Sequence, residues 1–73
     1  MPKWKVKNNV RSFRRMLNLT QEELAKQVGV HRQTIIAIEK QKYEPTIRVV
    51  LSLAKVLKKP VEEIFFFDKN VIE

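Results

Sequence analysis

The sequence predicts a mainly all-α fold of five short helices, closed by a two-stranded antiparallel sheet made from the terminal segments. Three observations carry that expectation. Apolar residues recur at spacings of three and four in successive blocks, the period of a helix with one buried face. The blocks are separated by residues that start or stop helices, namely Thr20, Gly29, Pro45, Thr46 and Pro60. Both ends leave this period: Lys3 to Lys7 alternates charged and apolar residues, and Phe65, Phe66 and Phe67 run together, which suits short strands. A chain of 73 residues without cysteine is read as one domain whose stability comes from packing and not from disulfides.

The elements follow in order. Trp4 and Val6 share one side of a strand over residues 3–7. Asn8 or Asn9 then caps a helix over residues 9–17, with Val10, Phe13 and Leu17 as its apolar stripe and Arg11, Arg14 and Arg15 around it. Asn18 ends that helix in the left-handed conformation, which Asn tolerates better than most residues. Thr20 caps the next helix, residues 20–28, and Glu23 completes a reciprocal capping box, while Leu19 can staple onto Leu24. Leu24, Ala25 and Val28 face inward, and Gly29 supplies a positive φ for the turn.

The third helix, residues 31–40, turns Ile35 and Ile38 inward and leaves Arg32, Gln33, Ile36 and Ala37 outside. Lys40 to Pro45 is a loop, because a residue before proline is pushed out of helical geometry. Thr46 caps a fourth helix, residues 46–57, whose expected inner face is Ile47, Val50, Leu53, Ala54 and Leu57. Pro60 precedes a short fifth helix, residues 61–65, whose start suits the negative charges of Glu62 and Glu63. Ile64 and Phe65 close the core, and residues 66–70 pair with residues 3–7.

Charge narrows the function. The formal net charge is +7, and Lys3, Lys5, Lys7, Arg11, Arg14 and Arg15 precede the first acidic residue. A basic face beside two short helices joined at Gly29 points to a polyphosphate surface, with duplex DNA as the leading candidate. One histidine, no cysteine and no clustered carboxylates leave no recognisable catalytic set, metal site or cofactor site, so no enzyme is expected. No apolar run approaches the roughly 20 residues needed to span a bilayer, and the basic start lacks a signal-peptide core. The reading is a cytoplasmic protein with no membrane partner.

From about Asn9 to Phe65 the chain resembles the small helix-turn-helix regulators of the phage repressor, Cro and xenobiotic-response-element class. The resemblance rests on LTQEELA, on GVxRQTIxxIE, on a KYEP loop similar to the family's KYNP, and on VEEIF. It implies a lambda-repressor-like domain whose helix over residues 31–40 enters the major groove. Arg32 would then bond guanine, Gln33 adenine, and Ile36 a thymine methyl group. Ala37 would allow close approach, and His31, where the family has Ser or Thr as N-cap, could touch phosphate or a base edge. Gln21, Thr34, Lys40, Lys42 and Tyr43 are the implied phosphate contacts. Arg14 and Glu39 match positions that form a structural ion pair, and the family's glycines appear here as Asn18, Gln41 and Lys58.

The flanking segments resemble a subgroup in which terminal strands extend the five-helix bundle into a homodimer. Trp4, Phe66, Phe67, Val71 and Ile72 would form that interface, because they offer more apolar surface than a small monomer leaves bare. The resulting expectation is a dimeric repressor on a palindromic operator, with double-stranded DNA and a second copy as partners. The alternative reading is a protein-interaction module, such as an antitoxin or bridging factor that holds an unidentified protein partner.

Overall fold

The computed structural model describes residues 4–68. The elements run β1 (Val6–Asn8), α1 (Val10–Met16), α2 (Gln21–Val28), α3 (Arg32–Glu39), α4 (Ile47–Leu57), α5 (Val61–Ile64) and β2 (Phe65–Phe67). Five helices surround one apolar core of Val10, Leu24, Ala25, Val28, Ile35, Ile38, Val49, Leu53, Leu57 and Ile64. The strands pair antiparallel in the register Val6↔Phe67, Lys7↔Phe66, Asn8↔Phe65. Among the described residues, no helix is long and apolar enough to cross a membrane.

Local chemistry explains the helix ends. Thr20 Oγ1 accepts the Glu23 N–H at 3.0 Å, and the Glu23 carboxylate accepts the Thr20 N–H at 2.8 Å, so both halves of the capping box form. Gly29 sits at φ 86°, and the N–H groups of Gly29 and Val30 both reach the Ala25 carbonyl, which ends α2. Asn18, Gln41 and Lys58 take the same left-handed conformation at φ 57°, 60° and 58°. Each lets the following N–H bond a carbonyl five residues before it: Leu19 to Arg14, Lys42 to Ala37 and Lys59 to Ala54. These side chains accept a steric cost of about 1 kcal/mol where glycine accepts none.

The capping box predicts a pH effect. Hydrogen bonds from Thr20, the backbone N–H foremost, hold the Glu23 carboxyl below its ordinary value. A depressed folded-state pKa gives stability that is present above the unfolded value and lost as pH falls through the folded one. Acidification below the carboxylate range should therefore loosen the start of α2 first. Carboxyl titration and amide exchange followed by NMR check this; a Glu23 midpoint at or above the ordinary glutamate value counts against it.

The structure corrects several boundaries. Against the expected 3–7 and 66–70, the described strands are Val6–Asn8 and Phe65–Phe67, with Lys5 before β1 and Asp68 after β2; residues 3, 69 and 70 lie outside the described residues. Hydrogen bonds from Asn9 to the end of α5 fix that register: its N–H reaches the Ile64 carbonyl and its Nδ2 the Glu63 carbonyl. Asn9 consequently does not cap α1 with its side chain; Asn8 Oδ1 accepts the Val10 N–H instead. Leu17 lies past the end of α1 and is exposed, whereas Arg14 is buried. Phe13 packs on the core beneath the Lys59 ammonium, 5.2 Å from its ring centre. On α4 the inner face is Val49, Leu53 and Leu57, with Val50 and Ala54 half-buried. Ile47, expected inside, is 74% exposed, and Leu51 one turn later is 58% exposed.

Candidate nucleic-acid interface

The site is built on α2, the turn at Gly29 and α3. Ile35 and Ile38 anchor α3 in the core. His31 is its N-cap, in extended conformation and with no side-chain capping bond. The start of α3 therefore presents exposed His31, Arg32 and Gln33, and neither Arg32 nor Gln33 spends its side chain on another described residue. Thr34, Ile36 and Ala37 are half-buried behind them.

A polar cluster pins α3 from below. Arg14 Nε donates to Glu39 Oε2 at 2.7 Å and Nη2 to Oε1 at 3.2 Å, while Nη1 reaches the Leu19 carbonyl at 2.8 Å. The two side chains are 10% and 5% exposed. Gln21 Nε2 also donates to Glu39 Oε1, at 3.2 Å. One carboxylate at the end of α3 thus gathers α1 and the start of α2, and planar two-pronged pairing fixes orientation as well as distance. Gln21, expected as a phosphate contact, is half-buried and spends one amide hydrogen on this cluster.

Above that cluster lies an open cleft lined by Arg11, Arg14, Arg15, Thr20, Gln21, Ile36, Glu39 and Lys40. Lys40, Lys42 and Tyr43 are exposed at and after the end of α3. The sequence placed Arg11 and Arg15 beside the apolar stripe of α1 as part of a basic face, without naming either as a DNA contact. Their spacing of four put them on one face, and that was the available signal. The structure turns that face toward α2 and α3, so that both line the same cleft as Lys40.

The aromatic end forms a separate surface. The Trp4 and Phe67 ring centres are 5.2 Å apart, Phe66 and Phe67 are exposed, and an apolar groove runs along Val6, Val61, Glu62, Phe65, Phe66 and Phe67. Val71 and Ile72 lie outside the described residues.

With this geometry in place, comparison with known proteins is decisive. The helix-turn-helix family profile matches residues 10–64. The chain belongs to the helix-turn-helix family. Its relatives include an uncharacterized HTH-type transcriptional regulator of Methanocaldococcus jannaschii, 48% identical over 89% of this chain and 98% of the relative. Another, from Archaeoglobus fulgidus, is 44% identical over 89% of this chain and 92% of its own. Among solved structures the fold is similar to the P22 c2 repressor, crystallised with a synthetic operator. The TM-score is 0.71 at 32% identity, covering 73% of this chain and 80% of the repressor. This helix-turn-helix protein is a transcriptional regulator with a repressor-like DNA-binding fold, and its family is not one of enzymes.

Proposed function

We propose that this regulator is a sequence-specific repressor that binds a palindromic operator in double-stranded DNA as a homodimer, with α3 in the major groove. The observation that carries this is the contrast along α3. Its C-terminal Glu39 is locked by Arg14 and Gln21, while Arg32 and Gln33 at its N-terminal end stand exposed, with no side-chain partner among the described residues. A rigidly held helix with free bidentate side chains is what base reading requires. In this reading His31, Ile36 and Ala37 complete the base-facing surface. Gln21, Thr34, Lys40, Lys42 and Tyr43 hold phosphates, and Arg11 and Arg15 extend that clamp along α1. The action is cytoplasmic, at the chromosome, and takes no cofactor.

The apolar groove around Phe66 and Phe67 supports the second copy, because a two-stranded sheet with bare aromatics is marginal in water by itself. A two-fold dimer sets two recognition helices against half-sites about one helical turn, roughly 34 Å, apart. Phe67 is 55% exposed, so Phe67→Lys should leave the protomer folded yet shift it to monomer in light scattering. A full-strength dimer in that variant places the interface elsewhere.

The principal test is selection from random duplex DNA with binding measured across salt, which should return a palindrome. Recovery of no preferred sequence, together with stoichiometric capture of another protein, would favour the interaction-module alternative. Salt also tests the clamp. Arg11→Ala, Arg15→Ala and Lys42→Ala should each weaken every duplex alike and lower the slope of log affinity against log salt by about one. An unchanged slope removes that residue from the clamp.

A further inference from the structure

Asn8 ends β1 opposite Phe65, and its carboxamide reaches in two directions. Oδ1 accepts the Val10 N–H at 3.1 Å, and Nδ2 donates to the Ile38 carbonyl at 2.9 Å, thirty residues along the chain. Ile38 lies in the last turn of α3, where a carbonyl has no partner inside the helix; the Gln41 N–H is its other donor, at 2.9 Å. Asn9, the next residue, holds the Ile64 and Glu63 carbonyls, immediately before β2. Two adjacent asparagines thus bind the aromatic sheet to α5 and to the C-terminal end of the recognition helix.

We infer that Asn8 is a positioning residue that sets the spacing at which the two recognition helices of a dimer meet DNA. The inference rests on the sheet-mediated dimer proposed above. A sheet of two three-residue strands has little stiffness of its own, so its angle to α3 depends on such ties. Arg32 lies six residues before Ile38, about 9 Å along the axis at 1.5 Å per residue. A tilt of about 10° at the Ile38 end moves it by about 1.6 Å. Across two protomers the change is about 3 Å, close to the roughly 3.4 Å rise of one base pair. Asparagine suits the position because it offers an acceptor and a donor on one short fork; aspartate keeps the acceptor alone, and serine does not reach Ile38.

The test uses duplexes carrying the selected half-site twice, with centre-to-centre spacing varied in single base-pair steps, and duplexes carrying it once. The full-length wild type should favour one spacing. Asn8→Asp, which retains the bond from the Val10 N–H, should keep the dimer mass and the single half-site affinity. Its preference for the best spacing over the neighbouring ones should fall by about two- to ten-fold, the worth of one hydrogen bond. Asn8→Ser, a second and smaller change, should behave alike. A folded variant with an undiminished spacing preference overturns the inference, and so does an equal loss at every spacing, which marks a merely structural role. A wild type that dimerises yet ignores spacing overturns it while leaving the dimer standing. A monomeric wild type ends both readings.

Discussion

Replacing Glu39 by alanine is expected to destabilise the fold by about 3–5 kcal/mol, because it strands a guanidinium that the folded chain holds away from water. Arg14 would keep only the Leu19 carbonyl as an acceptor, and the Gln21 amide would lose the same carboxylate. For a domain of this size each kcal/mol moves the melting temperature by about 4–8 °C, so the transition should fall by more than 10 °C. Thermal and urea denaturation measure this directly. A loss below about 1 kcal/mol would mean that the pair is solvated in solution, where such contacts are worth little. The double replacement Arg14→Met with Glu39→Leu should regain much of the stability, since a buried pair exchanged for apolar side chains is often neutral or better. It should not regain operator affinity fully, because apolar contact lacks the angular definition of the two-pronged bond.

Arg32→Ala and Gln33→Ala should act in the opposite manner, leaving stability within about 0.5 kcal/mol while relaxing base preference. Each bidentate contact to a base is worth about 1–3 kcal/mol of discrimination. The preference at the matching operator position should therefore fall by roughly five- to 150-fold. Competition binding on operators substituted one base at a time reads this, with unfolding curves as the control. Arg32→Lys should restore charge but not discrimination, because an ammonium cannot present the paired donors of a guanidinium. Equal weakening on all duplexes would move either residue from base reading to the phosphate clamp.

How much of this was legible in the sequence depends on the range of the interaction. Thr20 with Glu23, the turn at Gly29 and the left-handed Asn18 were readable because each is set by residues within about one helical turn; Gln41 and Lys58 were marked only by standing where the resembled family has glycine. The inward pair Ile35 and Ile38 followed from period alone. On α4 the period found Leu53 and Leu57 but did not decide the first turn. Ile47, Val49, Val50, Leu51, Leu53, Ala54, Val56 and Leu57 make the helix apolar on most sides. The choice of Val49 over Ile47 as the buried residue came from the neighbours that α4 meets.

The candidate site divides along the same line. Arg32 and Gln33 on the outer face of α3 could be named from spacing and family resemblance. Nothing local indicated that Gln21 would bond Glu39, that Arg11 and Arg15 would share a cleft with Lys40, or that Asn8 would reach Ile38. Sequence sufficed for the presence of the helices, for the caps at Thr20 and Thr46 and for the outward face of α3, since hydrogen bonds and side-chain spacing within a helix act over three or four residues. Strand register, the occupied face of α4 and the polar ties between elements required the assembled chain. They join residues far apart in sequence, and their partners are selected by close packing and by the cost of leaving buried polar groups unbonded.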